Sequence, residues 1–313
     1  TRTSLLMKVL LITCGLTLPF LLLEFALRAT FTPDISTSLD NTAFAIHVPP
    51  EMMDAFTWDG DGNSLAHIRS ENRVLAYELR PLTVLNDSIR INSHGFRDCE
   101  YEEKKEPSAY RICVLGDSIT FGWWERLEET YPKVLERLLR AHVDPGIEVL
   151  NMGVGGYNAE QEAELFHTRV IGFQPDMLIV GFCINDYQCG CDGGLWRHFT
   201  RSGSLAWDWL SLRIIQARFL FGRESPIERA YSRIAEEASS LGIPVVVVFF
   251  YPNIDADEVN SYIQRHVRFC ESLGIVSVDL QQPFLEYGRD KAMADTVHPN
   301  TAGHEIAAKA IYE

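Results

Sequence analysis

Tyr110-Arg-Ile-Cys-Val-Leu-Gly-Asp-Ser118 is the stretch on which the fold reading turns. Ile112 to Leu115 are apolar without a break, the mark of a strand buried on both faces rather than wetted on one. The run stops at Gly116, and a polar Asp117-Ser118 follows where the strand ends. The same rhythm repeats downstream, with strands expected at Ile147–Leu150, Met177–Val180, Pro244–Phe250 and Ile275–Asp279. Between and after them, helical periodicity covers Tyr131–Ala141, Ala159–Thr168, Ile227–Leu241, Val259–Leu273 and Thr301–Tyr312, with Thr130 the expected N-cap of the first and Pro132 in its first turn. Doubly apolar strands alternating with helices predict a three-layer α/β/α sandwich around a parallel sheet of about five strands.

Outward from this core the signals weaken. Residues 31–107 have mixed, turn-rich composition and are expected to pack as an extension on a 108–313 domain, with a short strand at Ser88–Asn92 and a turn at Asn92–Gly95. Asp59-Gly-Asp-Gly-Asn63 resembles a calcium loop but has Ser64 where the sixth-position glycine belongs and Ser70 where the glutamate belongs, so it reads as a turn. Residues 193–222, with Trp196, Trp207 and Trp209, interrupt the alternation. They read as an inserted helical cap or as ordinary packing on the core.

The N-terminus carries a different message. Val9 to Leu23 has no charge, Lys8 and Glu24 flank it, and Phe25-Ala-Leu27 extends it. A membrane anchor within residues 1–30 is the favoured reading, over a cleaved signal peptide or a buried helix. Arg2 and Lys8 on the N-terminal side place the body outside the cytoplasm, periplasmic or extracellular. The chain starts without Met and stops inside a helical run, so clipping at both ends is expected.

Charge and cysteines exclude more than they identify. Net charge is −15; Arg2, Lys8 and Arg28 against Glu24 give residues 1–30 +2, which leaves −17 on the remainder. So acidic a body repels phosphate backbones, and no nucleic-acid partner is expected. Seven cysteines make no disulfide framework. Cys14, Cys113 and Cys183 sit in apolar runs as small hydrophobes. Cys189-Gly-Cys191 lacks the second ligand pair that zinc needs. No metal and no cofactor are expected. The Gly153/Gly155/Gly156 turn has Asn158 where a dinucleotide loop needs its third glycine.

In doubly wound sheets, ligands sit beyond the C-terminal strand ends. Three polar blocks fall there: Gly116-Asp-Ser-Ile-Thr120, Asn151-Met-Gly-Val-Gly-Gly156 and Gly181-Phe-Cys-Ile-Asn-Asp186. A fourth, Asp295-Thr-Val-His-Pro299, precedes the last helix. A serine at a strand end, a histidine that can take its proton, an aspartate three residues earlier and nearby amide donors are what a hydroxyl nucleophile requires. Asp117 and Asp186 read as loop-holding residues. No Gly-x-Ser-x-Gly elbow occurs, and His304-Glu305 runs on as Ile-Ala-Ala rather than a zinc motif.

The four blocks together resemble the signature blocks of the GDSL/SGNH hydrolases over residues 108–313. Tyr77-Glu-Leu-Arg-Pro81 and Ile91-Asn-Ser-His-Gly-Phe-Arg97 behind an apolar segment are similar to membrane-anchored bacterial members. The third block departs from the pattern, having Cys183 where a glycine commonly stands two positions before the asparagine. The resemblance implies an esterase with Ser118 as nucleophile, His298 as base and Asp295 as its orienting partner. It further implies an oxyanion hole from the Ser118 and Gly156 N–H groups and the Asn185 side chain. The expected partner is an acyl or acetyl ester, on an envelope glycan or lipid. Transfer of the acyl group to a sugar hydroxyl is the alternative on the same residues. A non-catalytic binding protein on a hydrolase scaffold is the alternative of a different class.

Overall fold

The computed structural model describes residues 63–86, 88–187, 225–253 and 257–313, together with Pro19, Leu21, Leu22 and Phe25, which are helical and exposed. The chain divides into two compact units, one of residues 1–45 and 197–223, the other of residues 46–196 and 224–313. Beyond those four N-terminal positions, the expected anchor lies outside the described residues. So do the expected cap at 193–222, Cys189, Cys191 and the Asp59–Gly62 turn. Among the described residues, no helix is long and apolar enough to cross a membrane.

The second unit is built on five parallel strands, β3 (Tyr110–Gly116), β4 (Ile147–Asn151), β5 (Met177–Phe182), β6 (Val245–Phe249) and β7 (Val276–Asp279), in the order β4-β3-β5-β6-β7. Two short strands, β1 (His67–Arg69) and β2 (Tyr77–Leu79), pair antiparallel as a separate hairpin upstream. The central strands β3 and β5 are buried almost throughout, while the edge strand β7 is half-exposed. Fully burying each such Val, Ile or Leu contributes about 1.5–3 kcal/mol, so the apolar runs that identify these strands also hold them in the middle of the sheet.

Helices α1 (Ser118–Phe121), α2 (Tyr131–His142), α3 (Ala159–Thr168), α4 (Pro226–Leu241), α5 (Asp257–Ser272), α6 (Gln281–Tyr287), α7 (Arg289–Ala292) and α8 (Thr301–Tyr312) complete the described part. Helix α2 packs with α8, and α4 packs with both α3 and α5, which gives the sheet a helical layer on each face. The α3 and α4 starts carry capping boxes, Asn158 with Gln161 and Ser225 with Glu228. Thr130 does precede α2, but its hydroxyl donates to Leu127 O at 2.8 Å, closing the preceding 3-10 turn instead of capping the helix.

One expected strand is not formed. Ser88–Asn92 contributes only an isolated bridge, Val84 to Arg90. Asn86 explains why: its side-chain oxygen accepts from both Ser88 N and Ile89 N at 2.8 Å, curling the chain where a ladder would have to start.

Two glycines decide how closely α1 sits on the sheet. Gly116 and Gly181 are register partners at the C-terminal ends of β3 and β5. A Cβ on Gly116 would lie 1.9 Å from Thr120 Oγ1, and one on Gly181 would lie 2.7 Å from it. Thr120 occupies that room, fully buried, with its hydroxyl 2.8 Å from Tyr131 Oη. The turn of α1 is therefore pressed against the strand ends, with Ser118 as its first residue.

Candidate active site

Ser118 follows Asp117, the N-cap of α1. Asp117 Oδ1 accepts from Ile119 N at 2.9 Å, and Asp117 Oδ2 lies 3.2 Å from Ser118 Oγ. The other end of this four-residue helix is held by Arg97, whose fully buried guanidinium donates to the carbonyls of Phe121, Gly122, Ser88 and Glu125. Orphan carbonyls at a helix C-terminus need donors, and a guanidinium supplies several in a fixed fork.

The chain then brings in residues from 180 positions away. His298 Nε2 lies 2.9 Å from Ser118 Oγ, and His298 Nδ1 lies 2.7 Å from Asp295 Oδ2. The two-residue spacer holds the pair in a tight turn in which Asp295 Oδ1 accepts from the N–H groups of Val297 and His298, both at 2.7 Å. A proton on Nδ1, donated to Asp295, leaves the Nε2 lone pair facing the serine hydroxyl. Ser118 and His298 are almost completely buried. Burial acts to raise the Asp295 carboxyl, but the His298 side chain and charge and the two backbone N–H groups outweigh it and hold it at about 2.

The glycine turn after β4 is tied to this centre through the backbone. Val154 N donates to Gly116 O at 3.0 Å, and Asn151 Nδ2 donates to Thr120 O at 2.8 Å, so the second block is stapled to the first. Gly156 has φ +81°, the left-handed region that glycine enters freely. Among the described residues, neither the Gly156 N–H nor the Ser118 N–H is engaged in a hydrogen bond. Asn185 Nδ2 donates to Tyr157 O at 3.1 Å, joining the third block to the second. That bond uses one amide hydrogen and leaves the other available.

Ser118, Asp295 and His298 thus form one hydrogen-bonded chain, and the blocks carrying Gly156 and Asn185 are bonded to it. The Cys183 departure is accommodated without disturbing that link. Its thiol is buried, and burial followed by the charges of Asp117 and Asp186 pushes it well above the usual range, so it stays protonated. Asp186 holds its own loop, accepting from Cys183 N at 3.1 Å and from Tyr231 Oη at 3.3 Å.

Two features of this neighbourhood were not legible in the sequence. Glu162 on α3 is fully buried with neither carboxyl oxygen bonded among the described residues. Burial, then Asp186 and Asp117, push it well above the carboxylate range. Nothing in Ala159-Glu-Gln-Glu162 distinguishes it from a solvated first turn. Tyr77, on β2, donates from its hydroxyl to Gly155 O at 2.9 Å. Its segment is recognisable in the sequence, but that contact is a property of the fold. Among the described residues, no group of three or more His, Cys, Asp or Glu is placed to hold a metal ion.

The model of the GDSL-like lipase/acylhydrolase family matches residues 114–306. A search of curated protein sequences gives no significant match. Among solved structures, a catalytic mutant of an acetylxylan esterase from Geobacillus stearothermophilus is similar, at 22% identity and TM-score 0.48, over 65% of this chain and 93% of that one. An α/β hydrolase from the Lake Arreo metagenome gives 22% and 0.44, over 65% and 94% of the two chains. A protein of the G-D-S-L family from Desulfitobacterium hafniense gives 15% and 0.45, over 64% and 97%. With identities below 25% and TM-scores below 0.5, none of these likenesses bears on what this chain acts upon.

Proposed function

The chain belongs to the GDSL-like lipase/acylhydrolase family and is an ester-bond hydrolase, and on that premise we propose that Ser118 is its nucleophile, His298 the general base and Asp295 the group that orients the imidazole. The observation that carries the reading is the unbroken chain Ser118 Oγ–His298 Nε2 at 2.9 Å and His298 Nδ1–Asp295 Oδ2 at 2.7 Å. A serine hydroxyl is a poor nucleophile at neutral pH and needs such a base. As Ser118 Oγ bonds to the acyl carbon, its proton passes to Nε2. The carbonyl oxygen becomes an oxyanion, received by the N–H groups of Ser118 and Gly156 and by Asn185 Nδ2. Collapse expels the alcohol, which takes the proton from His298 and leaves an acyl-Ser118 ester. Water, deprotonated by the same histidine, then releases the acid and restores the serine.

We further propose that residues 5–28 hold the protein on a membrane with the body outside the cytoplasm, on the evidence of the uncharged Val9–Leu23 run and its basic flank. Acyl or acetyl esters on envelope glycans and lipids are the esters within reach of a body so placed. Fractionation is the check: full-length protein recovered in the soluble fraction contradicts anchoring.

The reading is tested with acyl esters of increasing chain length, with and without sugar acceptors. Wild-type protein is expected to release acid from short acyl esters, and Ser118→Ala and His298→Ala to lose this by orders of magnitude. Acylated sugar in place of free acid points to transfer, since water and an alcohol compete for the same acyl-enzyme. Turnover that survives Ser118→Ala contradicts the reading.

A further inference from the structure

Residues 63–113 lie outside the family match, yet one of their side chains reaches the glycine turn. The Tyr77 hydroxyl, on β2 and 1% exposed, donates to Gly155 O at 2.9 Å. That oxygen and the Gly156 N–H belong to one planar peptide unit, so whatever fixes the carbonyl fixes the direction of the N–H. Such fixing is needed here. The unit joins two glycines, and Gly156 at φ +81° has no side chain to hold it. On another side of the same turn, the Trp123 ring lies so close that a Cβ on Gly155 would come within 2.6 Å of it.

We propose that Tyr77 is a positioning residue for the oxyanion hole, setting the Gly155–Gly156 peptide so that its N–H points at the developing oxyanion. The inference rests on the role given to Gly156 above. A donor on the carbonyl also polarises the peptide and makes its N–H a stronger donor. Burial, and then the charge of Asp117, push the Tyr77 phenol above its ordinary range, which keeps it a donor at every working pH. Strand β2 and the turn before it are anchored to this region: Tyr157 Oη donates to Tyr77 O at 2.5 Å, and Gln161 Nε2 donates to Leu75 O at 2.8 Å. The segment before the matched region therefore takes part in the chemistry through its effect on one N–H group.

The test is Tyr77→Phe in the full chain, assayed on 4-nitrophenyl acetate. The expected result is a fall of about tenfold in kcat, the rate equivalent of one hydrogen bond, with KM within about twofold. Affinity for a boronate, which mimics the tetrahedral adduct, should fall in parallel. Glu78→Gln supplies the comparison. It weakens the next residue's ties to Ser70 and Arg169 without touching the peptide, and should leave kcat within about twofold. Equal losses in both variants, or an unchanged kcat in Tyr77→Phe, overturn the proposal. If Asn185→Ala lowers kcat while Tyr77→Phe does not, the proposal fails alone. If Ser118→Ala keeps turnover, the reading beneath it fails as well. Should Tyr77→Phe not fold, wild-type protein labelled with 13C and 15N at glycine carries the test. The Gly155 carbonyl carbon and Gly156 nitrogen should shift together on boronate binding, and resonances that stay put overturn the proposal.

Discussion

Asp295 and Glu162 are carboxyl groups in the neighbourhood of one serine, and their surroundings drive them in opposite directions. Asp295, half-buried on the loop before α8, receives hydrogen bonds from His298 Nδ1 and from two backbone N–H groups, and is held at about 2. Glu162, fully buried on α3, receives none from the described residues and is pushed well above the carboxylate range. Burial raises both. Donors reverse it in the first case, and the neighbouring charges of Asp186 and Asp117 reinforce it in the second. For these two carboxyls the donors aimed at them, and not depth alone, set the direction of the shift. A site that must stabilise positive charge on an imidazole needs the first kind of acid. The second kind is a side chain whose surroundings oppose ionisation.

The sharpest way to break this comparison is Asp295→Asn, which removes the charge and keeps the shape. A loss of roughly 10³–10⁴ in kcat is expected, because the amide can hold the wrong imidazole tautomer and cannot balance its charge. A loss below tenfold contradicts an orienting, ionised Asp295. The depressed carboxyl also fixes a pH window. Its contribution to stability is complete above the unfolded value near 3.8 and is lost as pH falls through about 2. Any acid limb of activity above pH 4 therefore belongs to another group.

Asn185→Ala asks whether donors matter equally when aimed at the substrate. Removing one oxyanion donor should cost roughly 10²–10³ in kcat with the fold intact. An unchanged rate contradicts the Asn185 assignment and makes another group complete the hole.

Glu162→Gln is the smallest effect and the cleanest on stability. The folded value is raised, so the stability tied to this group is fully present below the unfolded value near 4.5. It drains away as pH climbs and the unfolded chain ionises first. Glutamine removes that drain. Tm should be nearly unchanged at pH 4 and higher at pH 8, with activity preserved. A lower Tm at pH 8 would mean that Glu162 is ionised and engaged.

Different physics explains what the sequence revealed and what it concealed. The inner strands β3, β5 and β6 were legible because a doubly buried strand is apolar almost throughout, as Val245–Phe249 is, and the flanking β4 and β7 followed from the strand–helix alternation. Ser118, His298 and Asp295 were legible because their residue types and spacing have few other uses in combination. The hairpin β1–β2 went unrecognised because three-residue strands carry too little pattern. Helices α6 and α7 are one or two turns long and start without a side-chain cap, so no start signal marks them. Arg97, Tyr77 and Glu162 were opaque for another reason. Each acts through its burial and its partners, and an arginine buried against four carbonyls looks in sequence like an arginine in water.

The central claim is that Ser118 is the residue acylated in turnover. Treating the protein with a fluorophosphonate and mapping the adduct by mass spectrometry tests it most directly. The account predicts a single modified peptide with the phosphonyl group on Ser118, no labelling in folded Ser118→Ala, and labelling slowed by orders of magnitude in His298→Ala. An adduct on any other residue, or labelling that persists in Ser118→Ala, would contradict it.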